Sequence, residues 1–168
     1  MKKKPFYLFL ILAAIVLSLS SCIKKQSFSV IPEIGYLGTE LVFDTSRTAK
    51  ELIFSISYQD GNGDIGLAAN DTFPPNDKNG LYYYNFVINY YQKINGVFQQ
   101  LNDSVPFSAR IPVLTPDDPG KAIKGYIIDT IKLILPLHDT IRLETFIYDR
   151  ALHKSNVITT PEIVLRRR

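Results

Sequence analysis

The nine residues 58–66, YQDGNGDIG, hold the side chains of this chain that are best suited to chemistry. Asp60, Asn62 and Asp64 occupy alternate positions, and Gly61 and Gly63 separate them. Carboxylate and amide oxygens at alternate loop positions can converge on a cation when glycine lets the backbone curl. Calcium takes six to eight such oxygens, so the spacing indicates a calcium-binding loop.

The spacing extends beyond the loop, because Asp71 falls at position twelve when Asp60 is counted as position one. This pattern resembles the calcium loops of EF-hand and dockerin type. Ile65 stands where those loops carry glycine, and Asp71 is shorter than the bidentate glutamate of an EF-hand. No helical pattern flanks the loop, so the resemblance implies the ligand chemistry and not the helix–loop–helix fold.

Two other readings of the loop stay open. Asp and Asn side chains cap their own backbone in glycine-containing turns, so the loop can be ordered without an ion. Alternatively, Asp60 and Asp64 could act as an acid and a base in an envelope enzyme such as a carbohydrate hydrolase. His138 and His153, the two histidines, both lie in predicted turns, and no nucleophile elbow or zinc-protease motif occurs. We therefore predict no catalytic residue and a protein that is not an enzyme.

The elements that must position these residues are predicted to be strands. In ELIFSISYQ, Leu52, Phe54, Ile56 and Tyr58 share one face, as expected for a half-buried strand. The same alternation recurs in three further segments, and the dipeptide 95–96, Asn-Gly, predicts a β-hairpin turn inside the first of them. These segments are LYYYNFVINYYQKINGVFQQL, IKGYIIDTIKLILPL and DTIRLETFIYD, and NVITTPEIVL can close the fold as an edge strand interrupted by proline.

Short strands separated by turn signals predict an all-β fold, a single antiparallel β-sandwich of about seven to nine strands over residues 28–168. The segment FIYDRALHKSN, residues 146–156, resembles the last hairpin of bacterial immunoglobulin-like domains. Asp149, Arg150, Ala151 and Ser155 match that pattern, whereas Leu152-His153 stands where Gly-Asn is usual. The resemblance implies an immunoglobulin-like sandwich.

In such a sandwich the loop after the second strand and the loop after the penultimate strand lie at the same end. Asp149 and Asn156 are therefore expected to approach Asp60 and Asp64. Carboxylates brought together in this way repel one another, and either Arg150 or a cation can relieve the repulsion. Asp149 accordingly joins the candidate calcium ligands Asp60, Asn62, Asp64 and Asp71.

The amino-terminal residues 1–21 are predicted to be a lipoprotein signal peptide that forms a helix before the sandwich. Three lysines precede the apolar run FYLFLILAAIVLSL, which is typical of an export signal. The residues Leu19, Ser20, Ser21 and Cys22 that end it resemble the lipobox of bacterial lipoproteins. The resemblance implies cleavage before Cys22 and a covalent lipid on its thiol. It also accounts for the only cysteine of the chain, which can form no internal disulfide.

Removal of that signal would leave 19 − 3 = 16 basic side chains against 16 acidic ones, a formal balance that excludes the basic face of a nucleic-acid binder. Residues 22–27 are predicted to form a short lipidated tether. Ile23, rather than aspartate, follows the lipidated cysteine, which favours the outer membrane by analogy with other lipoproteins. Lys24 and Lys25 favour the periplasmic face over surface display.

The lipobox, the Asp-Gly-Asn-Gly-Asp-Ile-Gly loop and the Asp-Arg-Ala…Ser-Asn hairpin together resemble small outer-membrane lipoproteins of Bacteroidota-type bacteria. This resemblance implies an anchored immunoglobulin-like domain and no particular activity. We expect a non-enzymatic binding or assembly module of the cell envelope, with a protein or glycan partner. Tyr83 and Tyr91, on the second face of the tyrosine-rich segment, are its expected contact residues.

Overall fold

The computed structural model describes residues 28–101, 107–115, 120–133 and 139–166. Within these ranges the chain is all-β, and it contains no helix of the length and hydrophobicity that crossing a membrane requires. The predicted signal peptide, Cys22 and the tether lie outside the described residues, as does His138. The eight strands are β1 (Glu33–Phe43), β2 (Ala49–Asp60), β3 (Phe86–Ile94), β4 (Val97–Gln100), β5 (Ile123–Lys132), β6 (Thr140–Ile147), β7 (Ile158–Thr159) and β8 (Ile163–Val164).

The strands form two antiparallel sheets. The first sheet has the order β1-β2-β5, with β2 in the centre. The second has the order β4-β3-β6-β7, and β8 pairs with β6 next to β7 along the same edge. Pro161 lies between β7 and β8, where its missing N–H interrupts the ladder as predicted for the closing strand.

The buried faces of the two sheets meet in one hydrophobic core. Leu52, Phe54 and Ile56 of β2 are fully buried, and β6 contributes its own alternating row of buried residues. Phe54 of the first sheet stacks on Phe86 of the second, with ring centroids 6.2 Å apart and planes 4° from parallel. The arrangement is therefore sandwich-like, with apolar burial as the main force that holds the sheets together.

Several sequence predictions are confirmed. The described residues are all-β with eight strands. The predicted inward faces of β2 and β6, the latter Ile141, Leu143, Thr145 and Ile147, are buried apart from the half-buried Tyr58. Asn95 and Gly96 have φ angles of 50° and 82°, and they join β3 to β4 where Ile94 pairs with Val97. These positive angles are those of the predicted type I′ hairpin turn.

The tyrosine-rich segment was predicted to be a strand from its beginning, and this is wrong for its first part. Residues 81–85 precede β3, which begins at Phe86. Asn85 is buried, and its side chain accepts a hydrogen bond from the Ile111 N–H at 2.6 Å and donates one to the Ile111 carbonyl at 3.3 Å. That amide satisfies a neighbouring chain segment, so tyrosines 82–84 pack as a loop rather than alternate across a sheet.

Replacement of Phe54 by alanine tests the role of the shared core. Because Phe54 is fully buried and stacks across the two sheets, we expect Phe54→Ala to lower the free energy of unfolding by about 3–5 kcal/mol. Urea unfolding followed by circular dichroism measures this change. Leu81→Ala is the matched control, since Leu81 is 74% exposed and its loss should change stability by less than about 0.5 kcal/mol. Equal effects of the two substitutions would contradict the described core.

Candidate functional site

The loop that follows β2 is held by its own first residue. The Asp60 Oδ2 accepts a hydrogen bond from the Asp64 N–H at 2.9 Å, which closes the turn as a capping aspartate does. Gly63 has a φ of 67° and lies against the Lys121 carbonyl, so that a Cβ at this position would collide with the backbone. Thr115 Oγ1 also donates to the Gly63 carbonyl at 2.8 Å. The loop is therefore fixed by contacts on both sides.

The segment after β6 reaches this loop from the other sheet. Asp149 pairs with Ile65 in an isolated antiparallel bridge, and the Arg150 N–H donates to the Asp64 carbonyl at 3.2 Å. These backbone contacts bring the Asp149 side chain to the loop. The sequence predicted that the loop after the second strand meets the loop after the penultimate strand of the sandwich. The contacts between Asp149 and Ile65 and between Arg150 and Asp64 confirm this meeting.

Three carboxylates converge at this meeting point. Carboxylate oxygens of Asp60, Asp64 and Asp149 all lie within 4.8 Å of one another. Asp60 is completely buried, Asp149 is 2% exposed, and Asp64 is half-buried. We call these three residues the acidic triad.

Burial and mutual repulsion act on the charges of the acidic triad. Loss of solvent raises the pKa of Asp60, and the neighbouring charges of Asp64 and Asp149 raise it further, although the Asp64 N–H opposes the shift. Burial and the charge of Asp149 likewise raise the pKa of Asp64, while Arg150 lowers it. Without a bound cation, Asp60 and Asp64 therefore tend to take up protons.

The other two predicted ligands have different surroundings. Asn62 lies in the same loop, and its Oδ1 is buried without a hydrogen-bond partner. The Asp71 Oδ2 accepts a hydrogen bond from the Ala68 N–H at 2.8 Å, and Asp71 is not part of the acidic triad. Asn156 was also expected near the triad. Its side-chain amide instead accepts a hydrogen bond from the Ile34 N–H at 2.8 Å and donates one to the Ile34 carbonyl at 2.9 Å.

Asp149 has a partner that the sequence analysis did not predict. His153 Nδ1 lies 2.8 Å from the Asp149 Oδ2, and the His153 N–H donates to the Asp149 Oδ1 at 2.8 Å. Leu152, between them, has a φ of 68° and so adopts the left-handed conformation that glycine adopts most readily. The spacing of four residues across a tight turn is the only signal in the sequence that could have indicated the Asp149–His153 pair.

A second candidate surface lies on the outer face of the first sheet. Four large apolar side chains are exposed there, Leu37, Val42, Tyr126 and Ile128, with Tyr126 71% and Ile128 60% exposed. An open groove of about 490 Å³ crosses the three strands beside Tyr126. Its floor includes Gly35 and Ser57, which are directly opposite each other in the register, as Ser57 and Tyr126 are.

The two tyrosines predicted to be contact residues are already engaged. The Tyr91 hydroxyl donates to Glu144 at 2.7 Å, and the Tyr83 ring lies under the Arg110 guanidinium at 4.8 Å. Both residues are half-buried. The most exposed tyrosine within the described ranges is instead Tyr126 of β5.

Comparisons with protein-family models, curated proteins and solved structures found no match to this chain.

The raised pKa values of Asp60 and Asp64 predict an unusual pH dependence in the presence of a chelator. A carboxyl with a raised pKa in the folded state destabilises the fold above that pKa, and the penalty disappears as the pH falls through it. We therefore expect Asp60 and Asp64 to contribute a gain in stability when the pH is lowered from 7 towards the ordinary range of aspartic acid. Urea unfolding in EDTA, measured at intervals of half a pH unit, follows this gain.

Asp64→Asn is the matched variant for that titration, because it removes one of the interacting charges at a half-buried position. In EDTA it should be more stable than the natural chain at pH 7, and the difference should shrink as the pH falls. Hydrogen bonds from Ser46 and Thr48 lower the pKa of Asp44 to about 2. The stability that the ionised Asp44 contributes is therefore lost in both proteins below about pH 4, which is opposite in sign to the effect of Asp64. A difference between the two proteins that stays constant with pH would contradict the repulsion.

Proposed function

We propose that this protein is a lipid-anchored, non-enzymatic binding or assembly module of the bacterial cell envelope. The outer face of the first sheet is its contact surface, and a protein is its partner. The observation that carries the proposal is the set of exposed apolar side chains on one face of the first sheet, with charged residues at both ends of the strands.

The order of the strands supports an immunoglobulin-like fold for this module. If β1, β2 and β5 correspond to strands A, B and E, and β3, β6 and β7 to strands C, F and G, the two sheets follow the immunoglobulin pairing. β4 then takes the place of the additional strand beside C. Domains of this architecture serve many unrelated functions, so the choice of function rests on the surface and not on the fold.

The outer face has the composition of a protein interface. Tyr126 and Ile128 lie midway along the edge strand β5, opposite Ser57 and Ser55 of β2, so small residues leave both side chains prominent. Tyrosine is enriched among the residues that dominate binding energy, because it buries a large area at low entropic cost. The end rows of the face carry charges of both signs, which are Glu33 and Lys124 at one end and Glu51 and Lys132 at the other. Apolar residues midway along the strands, with charged residues at both strand ends, resemble the apolar core and polar rim of such an interface.

The short distance along the chain from Cys22 to Phe28 supports a membrane-proximal domain. Phe28 follows Cys22 by six residues, which span at most about 20 Å when extended. The Gly61 N–H donates to the Ser29 carbonyl at 2.7 Å, so this end of the domain is bound to the acidic loop. Lipidation of Cys22, as its lipobox implies, would place the acidic triad near the bilayer, on the periplasmic face of the outer membrane.

The same geometry supports a non-enzymatic role over a carbohydrate hydrolase. An acid and a base in glycoside hydrolysis must both reach the scissile bond from opposite sides. Asp60 is completely buried and Asp149 nearly so, and the groove beside Tyr126 is lined by other residues. The acidic triad is therefore better placed to organise the fold than to meet a substrate.

A photo-crosslinking residue at position 128 tests the contact surface in living cells. We expect it to form a discrete adduct with one envelope protein, and the same residue at position 97 to form none, because Val97 is equally exposed on β4 of the other sheet. Tyr126→Ala should reduce the adduct at position 128 by about tenfold or more, as expected for the loss of a dominant contact. An adduct only from position 97, or one at 128 that Tyr126→Ala leaves unchanged, would contradict the proposed surface.

Cys22→Ser tests the anchor. Growth with an alkyne-labelled fatty acid should label the natural chain and not the variant, because the only thiol of the chain has been removed. Lys24→Ala serves as a control that retains the thiol. Labelling of Cys22→Ser equal to that of the control would refute lipidation at this residue.

A further inference from the structure

The acidic triad joins the two sheets. Asp60 is the last residue of β2 in the first sheet, and Asp149 follows the end of β6 in the second. Asp64 lies in the loop after β2. Its N–H donates to the Asp60 carboxylate, and its carbonyl accepts a hydrogen bond from the Arg150 N–H of the other segment. Any ligand held by all three side chains would therefore connect the two sheets directly.

Buried oxygens at this position lack partners. Asp60 Oδ1 and Asp64 Oδ1 are buried and accept no hydrogen bond within the described structure. Asp60 as a whole is 0% exposed, so water does not reach its carboxylate. Asn62 Oδ1, on the same loop, is in the same condition. A buried carboxylate oxygen without a partner is costly, because neither water nor a donor compensates for its lost hydration. Native structures rarely keep such groups unless an ion or another ligand satisfies them.

The described side chains do not supply enough positive charge. Among the three carboxylates of the triad, the described His153 ring forms its hydrogen bond with that of Asp149. Arg150 is exposed, and in the described part of the chain its guanidinium forms no ion pair with the acidic triad. Two unpaired acidic groups at close range therefore remain beside the Asp149–His153 pair.

We propose that the acidic triad binds one calcium ion, which holds the two sheets together at this end of the domain. The ligands are the carboxylates of Asp60, Asp64 and Asp149. Asn62 Oδ1 is available on the same loop as a further oxygen ligand, and backbone carbonyls and water would complete the coordination.

The chemistry and the dimensions both favour calcium. All the available atoms are oxygens, whereas zinc prefers nitrogen and sulfur ligands. Calcium–oxygen distances of about 2.3–2.6 Å place opposite ligands at most about 4.6–5.2 Å apart, which accommodates the separation of up to 4.8 Å within the triad. Magnesium, with distances of about 2.0–2.1 Å and strict octahedral geometry, would need the carboxylates to move closer together.

This ligand set differs from that of a linear calcium loop. Asp71, at the twelfth position of the loop, caps Ala68, and its place is taken by Asp149 from the other sheet. The ion would also stabilise the entry of the tether, because the Gly61 N–H next to Asp60 holds Ser29. The site is separate from the sheet face proposed for the partner, so the two proposals can fail independently.

Thermal unfolding of the full-length chain in detergent tests the site. After treatment with EDTA and dialysis, the midpoint should rise by roughly 10 °C when free calcium reaches a hundred times its dissociation constant. Magnesium at the same concentration should produce a much smaller rise. Calorimetric titration of the same sample should give one calcium ion per chain.

Paired variants identify the ligands. Asp64→Asn and Asp149→Asn should abolish the calcium-dependent rise, and Asp64→Asn should leave the midpoint in EDTA equal to or above that of the natural chain, because it removes a repulsive charge. Asp71→Asn is the control and should keep the full rise. If calcium binds to the natural chain with no rise in midpoint, or not at all, the proposal is wrong. It is equally wrong if Asp71→Asn loses the rise and Asp64→Asn retains it.

Discussion

The constraint on which this structure depends is the close approach of three carboxylates at the point where its two sheets are joined. Apolar burial around Phe54 and Phe86 brings the sheets together, and the backbone bridge from Ile65 to Asp149 aligns their ends. The same alignment places Asp60, Asp64 and Asp149 within 4.8 Å of one another, with two of them buried. The hydrophobic core therefore works against the repulsion between these charges, and the balance depends on what neutralises them.

The acidic loop contacts both parts of the domain that the proposed function uses, the segment near the predicted anchor and the sheet with the contact face. The acidic loop holds the segment that leads from the predicted lipid anchor, through the bond from Gly61 to Ser29. It also continues directly from β2, the central strand of the sheet whose outer face carries Tyr126 and Ile128. A cation at the joint would thus fix the position of Ser29 relative to the contact face.

The sequence predicted the fold well where a local pattern determines the structure. Alternation predicted the buried faces of β2 and β6, and Asn95-Gly96 predicted its hairpin, because period two and positive φ are properties of short segments. The sequence prediction was wrong for the loop of residues 81–85. The buried amide of Asn85 forms hydrogen bonds with the backbone of Ile111, which no local pattern reveals. Alternation also shows that a strand has two faces without showing which one is covered, so Tyr126 was missed as an exposed residue.

The candidate site shows the same limit. The oxygen-rich loop is evident in the sequence, and the meeting of Asp149 with it followed from an assumed sandwich. The linear spacing nevertheless suggested Asp71, which bonds to Ala68, and it gave no sign of the pairing of His153 with Asp149. The most direct measurement is a crystal structure of the protein grown with calcium. We expect one calcium ion coordinated by carboxylate oxygens of Asp60, Asp64 and Asp149 at about 2.3–2.6 Å. A structure in which these carboxylates share protons or a water molecule, with calcium absent or bound elsewhere, would contradict it.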